Sequence, residues 1–209
     1  ILLLAAALAF AAPSSRQLQA DSPAVRPGSA TSPEGTKPKG SSNMKADTAW
    51  KEIDRLLDEQ KLQEAADRLG PLVESARAAG DETNWAKALV RQSQVRTALG
   101  GLETSVERMK AREWPAGTTA RAAVELYYAH ALLEYLDGYE WEIRRRERVV
   151  SDETLDLKAW TADQIAAEAG RSFLAVWERR EELAAVPAAD FPYLQPNDYP
   201  KGIRSSLRD

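Results

Sequence analysis

His130, Glu134 and Asp137 stand at i, i+4 and i+7 in TTARAAVELYYAHALLEYLDG, so on a helix they share one face. Imidazole and carboxylate oxygen are ordinary ligands of a divalent metal. A specific centre needs further ligands from a second helix, and no HExxH or ExxH partner occurs. We read the trio as the polar stripe of an otherwise apolar helix and expect neither a metal nor a cofactor.

WEIRRRERVVSDETLDLKAW, residues 141–160, is the second candidate. At 100° per residue Arg144, Arg145 and Arg146 spread around most of a helical turn and do not converge on one anion. Arg144 and Arg148 do share a face, at a spacing that suits a phosphate or a carboxylate. Glu140, Glu142 and Glu147 supply local counter-charge. The reading is a solvated, ion-paired helix surface, with an interface or anion role as the alternative. Trp141 and Trp160 are expected to anchor the stretch in a bundle, with the arginines on the outer face.

Other chemistry is excluded by residue types. One histidine and no cysteine remove most nucleophilic triads, thiol nucleophiles and thiolate-bound zinc. Neither GxxxxGK[ST] nor GxGxxG is present, so no glycine-rich phosphate loop is marked. Carboxylates are plentiful, but no sequence feature marks a cleft for a catalytic pair. The net charge of −4 argues against a nucleic-acid partner. The expectation is a chain that is not an enzyme.

Four segments follow from composition. Residues 1–12, ILLLAAALAFAA, are wholly apolar, too short to span a bilayer and closed by small residues, as in a signal peptide truncated at its front. Export to a periplasm or extracellular space is the implied address, with no membrane span in the mature chain. Residues 13–46 are rich in Pro, Ser and Gly and read as a disordered linker. Residues 47–186 carry helical periodicity. Trp50, Ile53, Leu56 and Leu57 share one face; Leu62, Ala65, Leu69 and Val73 share another, with Gly70-Pro71 expected to kink or split that helix. Asp81 suits an N-cap, Gly100-Gly101 a stop, and a helix from about Leu102 to Arg112 follows. The helix after Trp114-Pro115 is apolar nearly all round and is expected at the centre. A long helix from about Thr161 to Ala185 places Ile165, Ala169, Phe173 and Trp177 on one ridge. Residues 187–209 read as a proline-rich strap held by Phe191, Tyr193 and Tyr199, with IRSSLRD opening a further helix. No strand-like alternation appears. The fold class is all-α, in stacked helical hairpins of tetratricopeptide-like type.

The order of AWKEIDRLLDEQKLQEAADRL, ALLEYLDGYEWEIRRRE, DLKAWTADQIAAEAGRSFLAVW and NDYPKGIRSSLRD resembles the N-terminal helical region of bacterial alpha-2-macroglobulin-like proteins. The resemblance covers about residues 47–209. It implies a scaffold or interaction module of an exported endopeptidase inhibitor, a protease trap. Partners would be the downstream domains of the same chain, target proteases or envelope proteins. The family's bait segment and thioester would lie beyond this piece. The rival reading is an exported tetratricopeptide-like adaptor that binds peptides or envelope proteins.

Overall fold

A computed structural model describes residues 39–146, 157–194, 200, 203 and 205–208, with side chains from Ala46 onward. The expected signal peptide, residues 13–38 of the expected linker, Arg148 and Tyr199 lie outside the described residues. Those that are described are all-helical, with no strand and one isolated bridge. No helix among them is long and apolar enough to cross a membrane.

Helix α1 runs over Lys39–Asp58 and α2 over Leu62–Ala79. The periodic pattern begins only at Asp47, yet the backbone is helical from Lys39, inside the expected linker. Trp50, Ile53 and Leu56 are buried. Gln60, at φ 58°, turns the chain into α2. Pro71 sits within α2, which runs on as one helix, so the split expected at Gly70-Pro71 does not occur. Proline removes one backbone bond there, and burial of Ala65, Leu69, Val73 and Ala76 along one side outweighs that loss. Gly80 closes α2 in the left-handed conformation, at φ 65°.

Helix α3 spans Glu82–Ala98 and is capped by Asp81, whose carboxylate accepts from the Asn84 amide at 3.1 Å. Gly100 and Gly101 separate it from α4, Leu102–Lys110. Helix α5, Thr118–Gly138, buries residues on nearly every side, from Ala120 and Val124 through Tyr128, Leu132 and Tyr135. It packs against α3, α4 and α7 and is the central rod, as its composition implies.

Helix α6 is one turn, Glu140–Ile143, and α7 spans Ala162–Trp177 with a capping box between Thr161 and Gln164. The long helix expected to Ala185 ends at Trp177; the short α8, Arg180–Leu183, continues the chain. Phe191 and Tyr193 are buried, and the Gln94 amide donates to the Tyr193 carbonyl at 2.7 Å, so the strap is held as expected. The described residues at the close of the chain, 203 and 205–208, are not helical, where the start of a helix was expected. Ala188 N–H donates to the Ser205 carbonyl at 2.8 Å and Leu207 N–H to the Val186 carbonyl at 2.7 Å. Pro187 and Ser206 thus pair antiparallel, and the Leu207 side chain is buried. Burial of Leu207 outweighs the helical propensity of so short a segment.

Candidate functional site

The arginine run has one inward member. Ile143 is buried on the face of α6 that meets the core, and three residues later Arg146 turns the same way, its side chain only 11% exposed. Its Nη1 donates to the carbonyls of Leu157 at 2.6 Å and Trp160 at 3.1 Å. Its Nη2 reaches the Tyr135 hydroxyl at 3.3 Å and Glu142 at 3.1 Å. Burial alone would push this guanidinium's pKa down; the bonds to Tyr135 and Glu142 outweigh that and hold it above its ordinary range. The Tyr135 hydroxyl also donates to Glu103 of α4 at 2.9 Å. Glu107, one turn along α4, accepts from the Leu157 amide at 3.3 Å. Arg146 therefore ties the segment before α7 to α4 and α5.

Its neighbours do something else. Arg144 lies on the surface and pairs with Glu140. Arg145 stacks on the Trp141 ring with its guanidinium carbon 3.7 Å from the centroid. Trp141 is 70% exposed, which corrects its expected role as an anchor. The one-turn α6 buries Ile143 instead, and helical geometry then turns residue 141 outward. Trp160 is half-buried against the core as an anchor should be, and its indole nitrogen is buried with no hydrogen-bond partner. The expectation that the arginines all sit outside also fails at Arg146.

On α5, His130 Nε2 lies 3.2 Å from Glu134 Oε1, both side chains about half exposed. No group of three metal-ligating side chains occurs among the described residues. A different polar cluster lies between α4, α5 and α7. Glu168, buried on α7, meets Lys110 Nζ at 2.7 Å, the Tyr128 hydroxyl at 3.1 Å and Arg171. Desolvation pushes the Lys110 ammonium below its ordinary pKa, and burial raises that of Tyr128. Trp114 packs edge-on against Tyr128 and hydrogen-bonds the Met109 carbonyl, closing the cluster off. With every carboxylate oxygen of Glu168 paired, the cluster is built as a tie between helices.

Among the described residues, three of the exposed large apolar side chains lie together on α7. Ile165 and Ala169 of the expected ridge are buried, but Phe173 and Trp177 have rotated out of the core, at 40% and 58% exposure. With Gly170 and Leu174 they form an open face at i, i+3, i+4 and i+7. The sequence showed the ridge, but an i+4 row drifts around a helix, and at this end Ser172 and Val176 face the core in place of Phe173 and Trp177. Compared with protein-family models, curated proteins and solved structures, the chain matches none.

Proposed function

We propose that this chain is a non-catalytic helical docking module: the N-terminal region of an exported alpha-2-macroglobulin-like protease trap, whose downstream domains seat on the outer face of α7. The family part rests on the order of the sequence motifs. The docking part is carried by the open apolar face of Gly170, Phe173, Leu174 and Trp177. An isolated exposed leucine is ordinary, whereas a contiguous face ending in tryptophan marks an interaction surface. Arg144 and Trp141, both on the surface, belong to the same reading as further contacts for those domains, and Trp160 holds their segment to the bundle; Arg148 lies outside the described residues.

Hydrogen exchange on this chain alone, and on the chain continued along its reading frame, tests the proposal. Slower exchange of the α7 amides in the longer protein, abolished by Phe173→Ser with Trp177→Ser, is the expected result. Equal exchange in the two would reject it.

A second reading has its own observation. Between α1 and α2 lies a groove of about 490 Å³. Ala49, Ile53, Pro71, Leu72 and Ala76 line it, with Glu52 and Arg68 at the rim. A tetratricopeptide-like adaptor would take a peptide there. A reading frame that closes shortly after Asp209 favours this adaptor, and one that runs on through long β-rich sequence favours the protease trap.

A further inference from the structure

Arg96 on α3, Arg108 on α4 and Arg112 just after α4 share one small pocket with Gln92, Ser93 and Ser105. Ser105 and Arg108 stand three apart on α4, and Arg112 follows just past its end; all three line the pocket wall opposite α3. Gln92 and Arg96 are four apart on α3 and answer them from the other side. The Arg112 guanidinium is fixed by a 2.8 Å bond to the Gln92 carbonyl oxygen. Among the described residues none of the three arginines forms an ion pair with a carboxylate. This is notable in a chain with 32 acidic against 28 basic residues, where Arg55, Arg77, Arg121, Arg144, Arg146 and Arg171 all pair with glutamates.

Three guanidiniums facing one point repel one another. Burial, and then the nearness of Arg108 and Arg112, hold the Arg96 guanidinium below its ordinary pKa. On the pocket wall the Ser105 side chain is 98% buried, and its hydroxyl has no hydrogen-bond partner. A buried hydroxyl in that condition costs roughly 1–3 kcal/mol. Unpaired like charges and an orphaned hydroxyl are the features an anionic ligand would relieve together.

We propose that Arg96, Arg108 and Arg112 form a binding site for a phosphate group. Guanidinium forks match tetrahedral oxyanions bidentately. A phosphate monoester is close to a dianion at neutral pH, which answers three cations better than the single charge of a carboxylate. The enclosed space is about 10 Å³, room for about one water molecule at the floor. The phosphate therefore sits at the mouth between the three side chains, with that water bridging it to Ser105. The site is on the α3–α4 pair and is independent of the apolar face of α7.

Titration of the purified chain, followed calorimetrically at constant ionic strength, tests this with inorganic phosphate, phosphoserine and acetate. Saturable submillimolar binding of phosphate and none of acetate is expected. Tighter binding of phosphoserine than of inorganic phosphate identifies a phosphorylated molecule as the source, and equal binding identifies free phosphate; both uphold the site. Arg108→Gln, at the solvent-exposed mouth of the pocket, retains the fold and weakens binding about 10-fold, the loss of one charge-assisted contact of ~1.4 kcal/mol. Arg179→Gln, a remote exposed arginine, leaves the affinity unchanged. A response to phosphate no greater than to acetate, or equal losses in Arg108→Gln and Arg179→Gln, overturns the proposal.

Discussion

Arg146 and Tyr135 meet guanidinium to hydroxyl at 3.3 Å, on the side of α5 where the chain must return to begin α7. The same guanidinium holds the carbonyls of Leu157 and Trp160. Replacing it takes the close donor from two carbonyls, while the Tyr135 hydroxyl keeps its bond to Glu103; each unmet buried group costs roughly 1–3 kcal/mol. Arg146→Ala is expected to destabilise the bundle by about 3 kcal/mol in urea unfolding. Arg146→Lys recovers only a minor part, because one ammonium cannot span both carbonyls and the phenol. Arg144→Ala, which loses only an exposed pair with Glu140, shifts stability by less than about 1 kcal/mol.

Tyr135 also sets a pH limit. Burial is the main reason its pKa is raised to about 12 from its ordinary value of 10.0, with Arg146 opposing the shift and Glu103 adding to it. The folded state therefore holds the phenolic proton more tightly than the unfolded chain. That contribution is whole below pH 10.0 and is lost as pH rises through about 12. Tyr127, Tyr128 and Tyr193 are raised too, all chiefly by burial, and act in the same direction. Urea midpoints measured at pH 9 and pH 11 are expected to fall, and Tyr135→Phe should lessen the fall. A midpoint that does not move over this range would contradict the burial of these phenols.

The helices were legible because their cause is local. Trp50, Ile53 and Leu56, or Leu69 and Val73, recur at a period that one buried face imposes, and Asp81 and Thr161 are caps that act within three residues. What the sequence did not show depends on contacts far along the chain. Arg146 looks like Arg144 and Arg145 until Leu157 and Trp160 are placed beside it, 11 and 14 residues on. IRSSLRD has a plausible helical start, but Leu207 is claimed by the backbone of Val186. The anion pocket needed α4 laid against α3 before Arg96 and Arg108 could be seen to converge.

Trp50 shows how a cap can reach into the core. Asp81 accepts from both the backbone and the side-chain amide of Asn84, at 3.1 and 2.8 Å. That turns the Asn84 carbonyl oxygen toward the Trp50 indole, which donates at 2.7 Å. Lys87 covers the outer face of the ring at 3.8 Å from its centroid. Trp50→Ala is expected to cost roughly 3–5 kcal/mol, the range for emptying a buried aromatic site. Trp50→Phe should retain most of the packing and lose about 1 kcal/mol for the missing bond. Thermal unfolding by circular dichroism reads both, and the order of the two variants is the decisive result.

Glu82 links the start of α3 to the start of α5. Its carboxylate accepts from the backbone of Ala116 at 3.1 Å and of Gly117 at 2.8 Å. Gly117, the N-cap of α5, has no side chain to do this work itself. A methyl group at 117 would run into the Glu82 carboxylate, so the glycine is required for the close approach. Glu82→Ala is expected to cost about 1–2 kcal/mol, as the loss of a helix cap does. Gly117→Ala displaces the carboxylate and should cost a similar amount by the same route. The two losses then do not add: the double variant is expected within about 0.5 kcal/mol of the worse single one, whereas independent sites would give their sum. Additive losses in denaturant unfolding would show that Gly117 serves some end other than admitting the Glu82 carboxylate.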